Sequence, residues 1–237
     1  MRIRADCTQA AVVRPGDVGF LPSPMPGVER IMLDRVDGEV ARATSLVRYA
    51  PERRFAKHVQ GGGEECRILG GVFSDETGDP PTGTSVRNPI GSRHAPSSDG
   101  GRTTLVKLHA FSPDNRRAVV VDTRRPAFMP ARWPGSASLA LHVFGTERTE
   151  PVRLAPGARE PLHGHDGGEA CLVLDGELAD DEERHPAGTG SRRPVGSPHA
   201  TFRAQGCLRW RKTGHLVGRP DGSGHRADRT RTSAADA

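Results

Sequence analysis

The chain has 237 residues, with 34 Lys+Arg against 29 Asp+Glu for a formal charge of +5. Hydrophobic residues reach 34% and aromatics 4%, while 29 Gly and 20 Pro make up about a fifth of the sequence, a mix that suits short strands and turns better than packed helices. No stretch approaches the roughly 18 apolar residues of a membrane-spanning helix, and the N-terminal MRIRADCTQA has no apolar signal core, so a cytoplasmic protein is expected. Only Lys57, Lys107 and Lys212 are lysines. The arginines are interleaved with acids and form no basic helix face, which argues against nucleic-acid binding. Cys7, Cys66, Cys171 and Cys207 are scattered and form no CxxC pair, which excludes a disulfide framework and a cysteine zinc knuckle.

In chain order, residues 45–49, 66–72 and 105–108 are β-branched or apolar runs bounded by Gly and Pro, and they predict strands. No window keeps a 3.6-residue apolar period, so long helices are not expected. Residues 115–134 read as a connector and the first strand of a second unit. The tail from Gly218 is almost free of apolar residues and predicts disorder.

The chain is also internally repeated. Shifting it by 105 residues aligns the halves without a gap from about Val47 to Lys107. RYAPERRFAKH faces RLAPGAREPLH, GGEECRILGGVFSD faces GGEACLVLDGELAD, and GTSVRNPIGSRHA faces GTGSRRPVGSPHA. A repeat of this length signals two copies of one structural unit. The expected units are residues 1–114 and 115–217, followed by a disordered 218–237. Each has enough residues for a small closed all-β barrel.

In the second repeat His163 and His165 are two apart, which puts both on one face of a strand. Glu169 follows the turn Asp166-Gly167-Gly168, and His199 follows Gly196-Ser197-Pro198. Three imidazoles and one carboxylate suit a divalent cation such as Zn, Fe, Ni or Cu.

The order HxH, then three residues and Glu, then a distant His after a G-S-x turn resembles the cupin superfamily. More narrowly, HGHDGGEACLVLDGELAD and RRPVGSPHA resemble the ChrR-like cupins, metal-binding domains attached to zinc-dependent anti-sigma factors. PGVERIMLDR, RATSLVRYAP, GVFSDETGD and VRNPIGSRHAP carry the same resemblance in the first repeat, so that it covers about residues 25–215. It implies an all-β fold of two tandem cupin barrels (double-stranded β-helix, or jelly roll), hence a bicupin. It also implies a divalent metal, Zn or Fe(II), a homodimer and a small-molecule ligand or substrate. The family pattern carries onto His163, His165, Glu169 and His199 completely. In the first repeat it carries onto His58, Glu64 and His94, but Gln60 stands where the second His belongs, which weakens that site for metal or leaves it degenerate.

Three functions follow from the resemblance: a metal-dependent dioxygenase cleaving small diketones, a regulatory or sensor cupin, and a non-catalytic metal-binding scaffold. The anti-sigma domain's HxxxCxxC motif does not occur here, since only Cys7 precedes the first barrel, and sigma-factor binding is not carried over. His109, His142, His185, His215 and His225 read as surface or satisfied core residues. Glu65, which faces Ala170 in the alignment, reads as a solvated rim residue. Cys66 and Cys171 fall on the face of Glu64 and Glu169, as buried fillers or as sulfur near a metal. The repeat-matched Arg87 and Arg192 favour structural ion pairs over substrate anchoring.

Overall fold

The computed structural model describes residues 1–36, 42–180, 183–202 and 205–217. The tail expected to be disordered, with His225, lies outside the described residues. The described elements are all strands or turns, as the Gly- and Pro-punctuated sequence predicts, and none is a helix long and apolar enough to cross a membrane.

Each repeat builds one antiparallel sheet with a small sheet set against it, the jelly-roll plan of a cupin. In the first repeat Val28–Val36, Arg42–Tyr49, Arg102–Leu108, Glu64–Gly71 and Thr84–Asn88 lie side by side. In the second, Ser136–Ser138, Glu147–Leu154, Cys207–Thr213, Glu169–Ala179 and Gly190–Arg193 follow the same order. The small sheets are His58–Val59 with Arg93–His94, and Arg159–His163 with His199–Phe202.

Each sheet is completed by a strand from the other repeat's sequence. Ala11–Val13 pairs with Gly190–Arg193, matching Ala11 to Arg192. Reciprocally, Val119–Asp122 pairs with Thr84–Asn88, matching Val119 to Arg87. Arg192 holds the first exchange by donating to the carbonyls of Arg4, Asp6 and Gln9 at 2.7, 2.7 and 3.2 Å, so its partners are backbone oxygens. Arg87 does form ion pairs, with Glu65 at 3.9 Å and Glu147 at 3.5 Å.

Strand alternation gives each barrel an inside and an inter-barrel face. Along Glu64–Gly71, Cys66 and Ile68 point into a core with Val28, Val47, Phe73, Val86 and Val106. Burying a side chain such as Ile68 contributes about 1.5–3 kcal/mol. Between the barrels, Leu33 and Leu105 pack against Ala170, Leu172 and Trp210. Glu65 also faces this seam, and the structure corrects its expected rim role: it is 5% exposed and accepts from Lys212 Nζ at 2.5 Å, a residue 147 positions away. Lys212, itself 0% exposed, also pairs with Glu147 at 2.8 Å. A buried cation needs such paired acceptors, and the inter-barrel seam supplies two.

Candidate metal centre

The second barrel brings together all four positions read from its sequence. His163 ends its strand and lies directly across from His199 in register, and Glu169 starts the adjoining strand of the large sheet. The turn between them relies on glycine: Gly168 has φ +70, and a Cβ on Gly167 would sit 2.3 Å from the Gly214 backbone. Only a residue without a side chain fits so close an approach. Backbone amides of Gly168 and Gly196 both donate to the His165 carbonyl at 2.9 Å, which fixes the loop that carries this imidazole.

Ring centroids are 4.3 Å apart for His163 and His199, 5.0 Å for His163 and His165, and 5.5 Å for His165 and His199. One nitrogen of each imidazole lies within 4.8 Å of those of the other two, a group that could hold a metal ion. His163 Nδ1 lies 2.7 Å from the Pro161 carbonyl and His199 Nδ1 3.2 Å from the Ser197 carbonyl. A carbonyl only accepts, so Nδ1 carries the proton in both and Nε2 turns its lone pair inward. Burial holds His199 down to about 4, outweighing the opposing pull of Glu169, and also lowers His163. Both are therefore neutral donors near pH 7. Burial alone would raise the Glu169 carboxyl, but His165, Arg209 and Arg211 outweigh it and hold it far below the usual range, so it is ionised.

The inward atoms have no hydrogen-bond partners: His163 Nε2, His165 Nε2, His199 Nε2 and Glu169 Oε2 are all buried and unmatched. His165 Nε2 and Glu169 Oε2 lie 3.1 Å apart, a contact that helps hold Glu169 ionised. Each orphaned group carries a desolvation penalty of about 1–3 kcal/mol. The three imidazole nitrogens fit a divalent cation, with the Glu169 carboxylate, 3.1 Å from His165 Nε2, beside them as a fourth donor. Trp133 packs against His163 in a tilted arrangement, with ring centroids 4.4 Å apart.

The first barrel brings the equivalent residues together differently. His58 and His94 are again cross-strand partners, but Gln60 Nε2 sits among the would-be ligands. It lies 2.8 Å from His94 Nε2, 3.1 Å from His58 Nε2 and 3.4 Å from Glu64 Oε2. Asn88 Nδ2 donates to the same Glu64 oxygen at 3.2 Å. His58 Nδ1 meets the Ala56 carbonyl at 3.1 Å, and His94 Nδ1 lies 3.4 Å from Asp75 Oδ2. The amide hydrogens thus satisfy the lone pairs left bare in the second barrel. The residues present in the first barrel do not call for a cation.

Cys66 and Cys171 are buried in the barrel cores. Burial pushes the Cys171 thiol up to about 12, so it is a protonated filler rather than a thiolate. Among the other histidines, His142 Nε2 meets Asn115 Oδ1 at 2.9 Å and His185 Nε2 meets Asp180 Oδ2 at 3.1 Å. The sequence reading missed Glu150, Glu160, Arg209 and Arg211 inside the second barrel, where Arg209 donates to both Glu160 oxygens at 2.7 and 2.8 Å. The repeat alignment held a signal for them, because Ser45, Phe55, Thr104 and Val106 occupy the matching places.

No curated protein matches the chain in sequence. Among solved structures it resembles a putative dioxygenase from Nostoc punctiforme at 12% identity and TM-score 0.76, covering 89% of this chain and 84% of that one. It also resembles the protein Ylba from E. coli, at 14% and 0.68 over 88% and 92% of the two chains. A salicylate 1,2-dioxygenase from Pseudaminobacter salicylatoxidans matches at 13% and 0.58 over 74% and 72%. At such identities the likeness shows a shared fold. The family described as ChrR Cupin-like domain matches residues 8–112 and again residues 116–217, so the chain belongs to that family and carries its domain twice.

Proposed function

We propose that the second barrel is a mononuclear divalent-metal centre and that the chain is a metal-dependent dioxygenase of small carbonyl compounds, working with Fe(II). The observation that carries this reading is the set of four buried, unpartnered donor atoms on His163, His165, His199 and Glu169. A metal held there would supply a Lewis acid and redox centre with coordination positions beyond the four protein donors. The protein's part is to keep His163 and His199 in the Nδ1-protonated tautomer through the Pro161 and Ser197 carbonyls. Glu169 adds one negative charge that offsets half the charge of the cation. Two of the structures it resembles bear the name dioxygenase, which supports this choice of chemistry. The first barrel, its lone pairs occupied by Gln60, acts as a scaffold.

The test is metal analysis of the purified protein, followed by oxygen uptake with Fe(II) and 2,4-pentanedione. One metal per chain with substrate-dependent uptake is expected. Tightly held zinc with no uptake would sink the dioxygenase reading. It would favour a second one, a metal-dependent regulatory module, which family membership supports.

A further inference from the structure

Beside the four metal-facing donors, the second barrel encloses a second set of unmatched polar atoms. Arg209 and Arg211 face Val173 and Cys171 across the strand pair, so their side chains share the inward face with Glu169. Arg209 is 0% exposed. Its Nη2 donates to Glu160, which also accepts from Thr201 Oγ1 at 2.5 Å. Arg211 Nη2 donates to Glu150 Oε1 at 2.6 Å. Nε and Nη1 of both arginines are buried without an acceptor; the nearest carboxylate oxygen to Arg211 Nη1, on Glu160, is 3.9 Å away. The other buried arginine nitrogens without a partner among the described residues are all Nε atoms. Arg209 and Arg211 alone among these leave a terminal nitrogen unused as well as Nε, so each keeps N–H donors free for an anion although Nε shares its edge with the occupied Nη2.

Charge counting points the same way. Within the barrel Arg209 and Arg211 face three carboxylates, Glu150, Glu160 and Glu169, with Arg211 2.6 Å from Glu150, while Arg148, which reaches Glu150 at 2.7 Å, is 41% exposed. A divalent cation at the histidines would turn that deficit of one into one excess positive charge, and a buried excess calls for an anion. The first barrel, whose ligand positions are closed by Gln60, has Ser45, Phe55, Thr104 and Val106 at the places of Glu150, Glu160, Arg209 and Arg211. The charged interior therefore accompanies the open donor set.

We infer that Arg209 and Arg211 bind the carboxylate of a small anionic ligand, so that the substrate class is a short oxo-acid rather than a neutral diketone. The inference deepens the proposed function and rests on it for where the carbonyl end lies. Glu160 and Glu150 hold the two guanidiniums in place through Nη2 and leave Nε and Nη1 without an acceptor. Neither arginine is asked to transfer a proton.

The test compares acetoacetate with its neutral methyl ester by calorimetry on protein loaded with Zn(II), with metal content measured in parallel. Acetoacetate should bind at least about tenfold more tightly, the effect of one charged hydrogen-bonding contact. Arg209→Lys keeps a cation for Glu160 but loses the free Nε and Nη1 donors, and Arg211→Gln removes both the charge and those donors at the neighbouring position. Each variant should cut the preference for the acid to below about threefold while metal content stays as in the wild type. Should Arg209→Lys fail to fold by circular dichroism, Arg211→Gln decides. Equal binding of acid and ester, or an unchanged preference in the folded variants, overturns the inference. Wild-type protein that takes up no metal would defeat the proposed function instead, and the acid-to-ester preference of the metal-free protein would still decide this one.

Discussion

Gln60 places its amide nitrogen 2.8 Å from His94 Nε2, within a triangle completed by His58 Nε2 and Glu64 Oε2. In the second barrel the matching residue is His165, which leaves the corresponding lone pairs bare. Gln60, with Asn88 donating to the same Glu64 oxygen, thus separates a satisfied polar cluster from a cation site. Gln60→His removes the donor that fills the first cluster and adds a third imidazole. The expected outcome is a rise in bound Zn(II) from one to two per chain by elemental analysis, with His58 and His94 already aligned across their strands. A stoichiometry unchanged at one would show that Asn88 and Asp75 also shut the site.

Chelation should act on the second barrel alone. A ligand that binds only the folded state stabilises it by mass action, about 2.7 kcal/mol at a hundred times its dissociation constant. Thermal melts with and without EDTA should therefore separate for the wild type, with the chelated protein melting lower. For His199→Ala, which removes a buried donor, the two curves should superimpose and metal content should fall below a tenth of the wild-type value. A wild type insensitive to EDTA, once shown to be metal-free, would contradict the site.

Much of this arrangement can be read from the sequence, because its causes are local. The HxH spacing fixes a strand face, Gly167-Gly168 marks the tight turn, and the offset between His58 and His163 exposes the duplication. Long-range pairings leave no such trace. Nothing near Glu65 shows that its partner is Lys212, and an acidic residue on a strand ordinarily reads as solvated. The run Leu208-Arg209-Trp210-Arg211 misleads for a physical reason: alternation normally turns apolar residues inward, yet here Trp210 packs on the other barrel and the arginines occupy the interior. The strand exchange is equally silent, since Ala11–Val13 resembles any short edge strand until its partner is known.

The Lys212 site makes a sharp stability prediction. Glu65 and Glu147 both lean on its ammonium, at 2.5 and 2.8 Å, with Arg87 as a more distant second cation. Lys212→Met would leave two buried carboxylates short of a counter-charge, at a cost of about 3–5 kcal/mol. Urea denaturation should show a midpoint shift of that size. Combining it with Glu65→Leu should recover part of the loss, since both buried charges of that pair are then gone. A single-mutant loss under about 1 kcal/mol would mean that Arg87 carries the balance.

Acid should loosen the molecule through the same groups. Burial alone would raise the carboxyls of Glu65 and Glu160, but Lys212 and Arg87 in one case, and Arg209 and Thr201 in the other, hold both below their ordinary value. Folded values below the unfolded value of about 4.3 mean that their stabilisation is present above that pH and fades as pH falls through the folded values. Unfolding free energy should be flat in this respect from pH 7 to about 5 and drop steeply below 4. Glu65→Gln, which has no carboxyl to protonate, should show a shallower drop over that range, and an identical acid limb in the two proteins would exclude Glu65 as a cause.

The reciprocal strand exchange predicts how the chain behaves when divided. Residues 1–114 carry Ala11–Val13 but not the Val119–Asp122 strand that borders Thr84–Asn88, and residues 115–217 have the opposite lack. Each fragment alone would expose an unpaired strand edge, together with the apolar seam of Leu33 and Leu105 or of Leu172 and Trp210. Exposed edges and seams of this kind promote association. Expressed separately, both fragments should be insoluble or aggregated. Expressed together, they should copurify one to one, because Val13, Arg192 and the paired strands rebuild contacts that do not require a continuous chain. Two separately soluble, monomeric fragments with no affinity for each other would show that the exchanged strands contribute little to holding the barrels together.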